Sequence, residues 1–411
     1  MGLSSKGTWA PSALALFLLM TTDFTAPLAA TTPTQANVVV ATIPVGFGPK
    51  GVLFDPANGF VYVANYGSDT VSVIDGATDR LIANISVGSN PTSLAYDSSD
   101  GDIYVANSGS VNASVIDGTT DEVVANVTVG PLAQWVSFDP SNGDVYVTYS
   151  PQPSCPSSGC PQPRVTVVDA SNDTVLASVA AGSMPWGVAA DTANGYVYVA
   201  DSGSDKVSVL GGAQNDIVTT LTVGLHPLGV AFDPSNGDVY VTNVNGYSMY
   251  NGSGTVSVIS GASDEVIATV AVGSQPSGVA FDSADEDVYV ANFVSNTTSV
   301  IDGSTNTLIA AVPVGVDPFG VAFDSSNGYV YVANEYSGTV SVIGSRPSNG
   351  GAPPLLYAVA AAGVALAILS FVIFRRGRKA VQSDAPQQTT ASGEPSAGGV
   401  ETEKEDEQDR P

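Results

Sequence analysis

Short segments of alternating apolar and polar residues fill the middle of the chain. Residues 318–324 (PFGVAFD), 328–334 (GYVYVAN) and 338–344 (GTVSVIG) are examples, and turn-forming residues such as Asp324–Gly328 separate them. Segments of this length that are rich in Val, Tyr and Phe predict β-strands, and the region shows no helical periodicity. We therefore expect the middle of the chain to be all-β.

The predicted strands recur in a unit that is repeated seven times. A tetrapeptide of the type YVAN begins at Tyr62, Tyr104, Tyr146, Tyr198, Tyr240, Tyr289 and Tyr331. An Asp lies seven residues before each of these tyrosines, and the commonest spacing between units is 42 residues. Four strands in a unit of this length are typical of a propeller blade. We predict a seven-bladed β-propeller of four-stranded antiparallel blades over residues 37–345.

The two ends of this region predict how the ring closes. Residues 37–46 (NVVVATIPVG) match the outer strand of a unit, such as 308–315 (LIAAVPVG), whereas the last unit ends after three strands. We expect strand 37–46 to complete the last blade, because this pairing removes two open sheet edges.

The motifs YVAN or YVTN, VSVIDG and GVAFD resemble the YVTN-type β-propeller repeats of archaeal surface-layer proteins and related secreted bacterial proteins. The resemblance covers residues 37–345. It implies a propeller at the cell surface, with ligands bound at the face that carries the blade-to-blade loops. The motifs belong to the scaffold and therefore do not indicate an activity.

Both ends of the chain predict targeting segments. Lys6, the apolar run Ala13–Met20 and small residues up to Ala30 predict a signal peptide over residues 1–30, with an uncleaved anchor as the alternative. A short linker, residues 31–36, follows.

Residues 355–374 are 20 residues without a charge, and Arg375 and Arg376 follow at once. We expect one transmembrane helix after a linker, residues 346–354, with the propeller outside the cell. Residues 375–411 are expected to form a disordered cytoplasmic tail.

Composition narrows the possible partners. Lys and Arg number 12 against 39 Asp and Glu, a formal net charge of −27, so nucleic acid is not expected as a partner. Two Cys and one His offer little for a metal centre or His-based catalysis, and we predict neither a metal nor a cofactor. The acidic turns Asp97–Asp102 and Asp282–Asp287 raise calcium as an alternative, although the same place in other units predicts a hydrogen-bonded turn.

The third and fifth units are longer by 10 and 7 residues, each between the second and third strands. Cys155 and Cys160 lie in the first insertion and are expected to form a disulfide in a secreted chain. Tyr247 and Tyr250 lie in the second insertion, where they either contact a glycan or protein or pack over the blade.

The residues beside the prolines of the blade-to-blade loops are predicted to face the central opening. In the fourth, fifth and seventh units they are Met184, Trp186, His226, Leu228, Asp317 and Phe319. They either floor a ligand pocket or pack between blades. The third unit departs from the pattern, because Pro131 is displaced and Gln134 and Trp135 are present.

Asn-x-Ser/Thr triplets predict glycosylation at Asn84, Asn112, Asn126, Asn172, Asn251 and Asn296. Taken together, these patterns favour a membrane-anchored extracellular propeller that acts as a surface-layer-like or adhesive scaffold. Its expected partners are protein or glycan at the cell surface, a second copy included. The alternative is a propeller-type lyase or lactonase that uses Asp317, Asn90 and His226.

Overall fold

The computed structural model describes residues 37–150, 162–211, 215–245 and 252–345. These residues form 28 strands in seven four-stranded antiparallel sheets. The prediction of a seven-bladed propeller is confirmed. Within these residues, no helix is long and apolar enough to cross a membrane. The predicted signal peptide, the predicted transmembrane helix 355–374, the linkers and the tail lie outside the described residues.

The chain begins its fold with β1 (Asn37–Pro44) and then builds the blades one after another. Blade one consists of β2 (Pro49–Asp55), β3 (Phe60–Asn65), β4 (Thr70–Asp75) and β5 (Arg80–Ser86). Blade two consists of β6 (Pro91–Tyr96), β7 (Asp102–Asn107), β8 (Asn112–Asp117) and β9 (Glu122–Thr128). Blade three consists of β10 (Ala133–Asp139), β11 (Asp144–Tyr149), β12 (Arg164–Asp169) and β13 (Thr174–Ala180).

The remaining blades follow the same order. Blade four consists of β14 (Pro185–Asp191), β15 (Tyr196–Asp201), β16 (Lys206–Gly211) and β17 (Asp216–Thr222). Blade five consists of β18 (Pro227–Asp233), β19 (Asp238–Asn243), β20 (Thr255–Ser260) and β21 (Glu265–Ala271). Blade six consists of β22 (Pro276–Asp282), β23 (Asp287–Asn292), β24 (Thr297–Asp302) and β25 (Thr307–Pro313). Blade seven consists of β26 (Pro318–Asp324), β27 (Tyr329–Asn334), β28 (Thr339–Ser345) and the N-terminal β1.

The N-terminal strand closes the ring, as the sequence predicts. β1 pairs antiparallel with β28, from Asn37 opposite Ser345 to Pro44 opposite Thr339. Ile43 of β1 is buried against Val340 and Val342 in the core that joins blades seven and one. Closure therefore rests on strand pairing and on burial of an apolar side chain.

The apolar cores lie between neighbouring blades. The middle strands contribute Val, Ile, Ala and Tyr side chains that are fully buried, and each core joins residues of two consecutive sheets. β-branched residues suit this environment because both faces of each sheet are covered. The ring is thus held by seven similar interfaces rather than by one central core.

A second interaction joins the blades at the tyrosine of each tetrapeptide. Tyr62 Oη donates to Asp121 Oδ1 of the next blade at 2.8 Å, and Tyr331 Oη donates to Asp79 Oδ1 at 2.8 Å across the closure. Burial and the neighbouring Asp121 raise the pKa of Tyr62, so the phenol remains a hydrogen-bond donor. Tyr289 differs, because its Oη accepts from Asn37 Nδ2 of β1 at 3.0 Å.

The aspartate of each unit builds a tight turn between the first two strands. Asp97 Oδ1 accepts the Ser99 N–H at 2.7 Å, and Asp282 Oδ1 accepts the Ala284 N–H at 2.8 Å. Such side-chain-to-backbone bonds are what a hydrogen-bonded Asp turn makes. In the described part of the chain, no group of three or more His, Cys, Asp or Glu is placed to hold a metal ion.

Candidate functional site

The loops that join one blade to the next, and the loops between the second and third strands of a blade, lie at the same end of the central channel. We call this end the channel mouth. The residue before the first strand of each blade has a positive φ of 52–66°. These residues are Gly48, Asn90, Leu132, Met184, His226, Gln275 and Asp317. The conformation is costly for residues other than Gly, Asn and Asp, and such strain concentrates at functional sites.

This backbone geometry places two positions of each blade beside each other at the mouth. The carbonyl of Gly48 accepts the Tyr66 N–H at 2.9 Å, and the carbonyl of Asp317 accepts the Glu335 N–H at 2.8 Å. This hydrogen bond holds the residue after each tetrapeptide, such as Tyr66 or Glu335, beside the start of the inner strand. In blade seven these two positions hold Glu335 and Phe319, whereas Thr92 and Ser277, the second residues of the inner strands in blades two and six, are buried.

Three aromatic rings from three blades meet at the channel mouth. The ring centroids of Trp135 in blade three and Phe319 in blade seven lie 6.2 Å apart. Phe293 of blade six meets Phe319 edge to face, with the centroids 6.4 Å apart. Blades three and seven are not neighbours, so the contact between Trp135 and Phe319 crosses the channel. We call these three residues the aromatic cluster.

The irregularity of blade three places Trp135 in this cluster. In blade three, Ala133 stands where the inner strand of the other blades begins with Pro. Trp135 therefore stands at the third position of its inner strand. In five blades that position is Gly, and a Cβ at Gly320 would overlap the carbonyl oxygen of Lys50 in the neighbouring blade. Trp135 thus brings a large side chain to a place where most blades have none.

An ion pair lies beside the aromatic cluster. Lys50 Nζ is 3.6 Å from Glu335 Oε1, and the two side chains are 16% and 28% exposed. The same Nζ lies 4.0 Å from the centroid of the Tyr66 ring and 5.2 Å from that of Phe319. The ammonium group is therefore held by one carboxylate and two aromatic faces.

Burial raises the pKa values of both carboxyl groups in this part of the mouth. The pKa of Glu335 is raised mainly by desolvation, which the charge of Lys50 opposes and that of Asp317 reinforces. Desolvation also raises the pKa of Asp317. Partly dehydrated charges beside aromatic faces are suited to holding polar ligands by charge-assisted hydrogen bonds and ring stacking.

The structure places the predicted mouth residues at equivalent positions but in different surroundings. Met184 is 38% exposed, whereas Trp186 and Leu228 are half-buried. The His226 N–H donates to Asp205 Oδ1 of the preceding blade at 2.8 Å. Phe319 is the predicted residue that the structure brings into the aromatic cluster.

Sequence reasoning missed Tyr66, Phe293 and Glu335. Each follows the YVAN tetrapeptide of its unit directly, at a position that also holds Ser and Val. Variation at one position within otherwise similar units was the available signal.

Charge is distributed unequally over the two ends of the ring. The turns and strand ends opposite the mouth contain 25 of the 30 acidic residues between residues 37 and 345, with Arg80 as the basic residue there. The mouth end has five acidic residues against Lys50, Arg164 and Lys206. The mouth is therefore the end where an anionic partner meets less repulsion.

The predicted glycosylation residues occupy several kinds of place. Asn84 and Asn126 are exposed at the same position of β5 and β9, and Asn172 is exposed in a turn. Asn112 is half-buried and donates to Asn126 Oδ1 at 2.7 Å. Asn296 Oδ1 accepts the N–H of Asp317 at 2.9 Å, so this side chain helps to join blades six and seven. Asn251, Tyr247, Tyr250, Cys155 and Cys160 lie outside the described residues, and their predictions stay predictions.

Comparison with known proteins adds information on the fold. No protein-family model matches the chain, and no curated protein matches it. A solved structure, Kuenenia stuttgartiensis hydrazine synthase, is similar with a TM-score of 0.62 and 18% sequence identity, over 73% of this chain and 96% of that one. The likeness is one of fold. At this identity it gives no support for a shared activity.

Proposed function

We propose that the protein is a binding scaffold that recognises glycan or protein at the cell surface through its channel mouth. The observation that carries the proposal is the aromatic cluster of Trp135, Phe293 and Phe319 beside the pair of Lys50 and Glu335. Aromatic faces stack on sugar rings and anchor protein side chains, and neighbouring charged groups orient the ligand.

The rest of the proposed setting follows from the two ends of the chain. A cleaved signal peptide, residues 1–30, and one membrane helix, residues 355–374, would hold the ring outside the cell with the tail in the cytoplasm. Surface-layer-like or adhesive recognition suits a rigid ring with variable loops at one end.

Binding to isolated envelopes of the source cells tests this function. The labelled full-length chain in lipid nanodiscs is titrated with envelopes, alongside Phe319→Ala and Phe281→Ala variants. Phe281 is the matched control, because it is a half-buried Phe of an inner strand that lies away from the mouth. We expect Phe319→Ala to weaken binding at least ~10-fold, about 1.4 kcal/mol, and Phe281→Ala to leave it within ~2-fold.

Thermal unfolding shows whether both variants remain folded. Equal binding by the wild type and Phe319→Ala, or an equal loss in both variants, would count against the mouth as the binding surface.

A second candidate function is a propeller-type lyase or lactonase. It is favoured by two carboxyl groups of the mouth, Asp317 and Glu335, whose pKa values are raised by desolvation. Turnover of lactone or uronate substrates that is lost in Asp317→Asn or His226→Gln, while envelope binding persists, would support this function over the scaffold.

A further inference from the structure

Every outer strand of the ring contains a β-bulge at the same place. In blade one, Val73 of β4 faces Ala83 and Ile74 faces Leu81, so Ile82 of β5 is the extra residue. The corresponding extra residues are Val40, Ile82, Val124, Leu176, Val218, Ile267 and Ile309. All seven are aliphatic. A bulge interrupts the free edge and redirects a side chain.

Six of these aliphatic side chains are turned into solvent. Their exposed fractions lie between 49 and 56%. These six residues, which we call the rim belt, are Ile82, Val124, Leu176, Val218, Ile267 and Ile309. In most blades the preceding residue is also apolar and exposed, as for Leu308 before Ile309. A repeated exposed apolar surface indicates an interaction site, and the bulges favour side-chain packing over strand addition.

Charge indicates which partner the rim belt fits. Beyond its first residue, no outer strand contains Asp, Glu, Lys or Arg, whereas the ring as a whole has 30 acidic and four basic residues. A cationic partner would be attracted instead to the acidic residues at the end of the ring opposite the mouth. A second acidic ring can approach the neutral rim with little repulsion, so the belt suits a second copy of the chain.

The Asn-x-Ser/Thr triplets are distributed unequally around the rim. Asn84 and Asn126 lie two residues after Ile82 and Val124, and Asn172 lies in the turn before β13. The outer strands of blades four to six contain no such triplet. We call Val218, Ile267 and Ile309 the bare arc of the rim belt.

We propose that two copies of the protein associate rim to rim through the bare arc of blades four to six. A contact around a two-fold axis places the same side chains on both partners, which an apolar patch without charges allows. The contact leaves both channel mouths open. The proposal does not depend on the function proposed for the mouth.

The test compares two triple variants of the full-length chain. Val218→Thr, Ile267→Thr and Ile309→Thr change the bare arc, and Ile82→Thr, Val124→Thr and Leu176→Thr change the matched opposite arc. Threonine keeps the β-branched shape favoured in strands. Self-association is measured by energy transfer between two labelled populations of full-length chain in mild detergent. We expect the bare-arc variant to raise the half-saturating concentration at least ~10-fold and the control to stay within ~2-fold.

Absence of transfer in the wild type up to about 0.1 mM overturns the proposal. So does an equal effect of both triple variants. Envelope binding through the mouth is measured on the same proteins and is expected to be unchanged, so failure of one proposal is distinguishable from failure of the other.

Cross-linking gives a second readout that does not depend on the Thr variants. Ile267→Cys in the full-length chain is expected to form a covalent dimer under mild oxidation, and Val124→Cys is not. The wild type, with Cys155 and Cys160, gives the background. Equal dimer yield at both positions would contradict the assignment to the bare arc.

Discussion

Asp201 is an isolated buried carboxyl group at a position where five blades have Asn. In blade five, Asn243 Nδ2 donates to Ser257 Oγ at 3.0 Å. In blade four, Asp201 Oδ2 instead accepts from Ser208 Oγ at 2.6 Å, and the Asp201 residue is 1% exposed. Replacing Asp201 by Asn restores the arrangement of the other blades and removes a buried charge. We therefore expect Asp201→Asn to stabilise the ring.

The size of the effect follows from the pKa of Asp201. Desolvation raises this pKa from 3.8 to about 6, against hydrogen bonds from Ser208 and a weak opposing effect of Lys206. The folded state thus binds this proton more tightly than the unfolded state. The group's contribution to stability is complete below pH ~4 and is lost as the pH rises through about 6. This rise of about two pKa units means that ionised Asp201 destabilises the folded state by about 3 kcal/mol at pH 8.

Thermal unfolding at several pH values is the assay. Asp201→Asn should gain about 3 kcal/mol at pH 8, a rise in Tm of roughly 5 °C, and almost nothing at pH 4. Asn243→Asp is the matched reverse variant, and it should lose stability at pH 8 more than at pH 4. An unchanged Tm of Asp201→Asn at pH 8, or the same gain at pH 4, would show that the buried charge of Asp201 does not destabilise the ring.

Three further predictions concern the interfaces between blades. Ile43→Ala should cost about 3 kcal/mol in urea unfolding because it empties a buried site of the closing strand, whereas exposed Ile82→Ala should cost less than about 0.5. Equal costs would contradict the closure by β1. Tyr331→Phe removes the donor to Asp79 between blades seven and one and should cost about 2 kcal/mol in the same assay, and no loss would show that this bond is dispensable. Gly320→Ala introduces a Cβ against the backbone of blade one and should lower stability by about 2 kcal/mol or more. A neutral effect in thermal unfolding would mean that the blades can separate there.

The sequence was sufficient to predict the ring because its signals are local and repeated. The turn built by Asp55 recurs in every unit, and the inter-blade hydrogen bond of Tyr62 recurs in every unit except that of Tyr289. Closure by β1 was also predictable, because residues 37–46 match an outer strand that the last unit lacks. Repeats convert a long-range topology into a local pattern.

The mouth was only partly predictable, because its contacts join residues that are far apart in sequence. Phe319 was predicted as a mouth residue and Trp135 was noted as a departure from the repeat, yet nothing local indicates that their rings meet across the channel. Lys50 and Glu335 are separated by almost the whole ring and meet only after closure. Phe293 lies just after the tetrapeptide, at a position that lacks a constant residue type, so that only its variation between units marks it.

The most direct test of the mouth as the binding surface is hydrogen–deuterium exchange of the full-length chain, free and saturated with isolated envelopes. We expect slower exchange in the mouth loops, residues 46–50, 315–320 and 334–338, and no change in the turns at the end opposite the mouth. Protection confined to that opposite end, or no protection in any mouth loop, would contradict binding at the mouth.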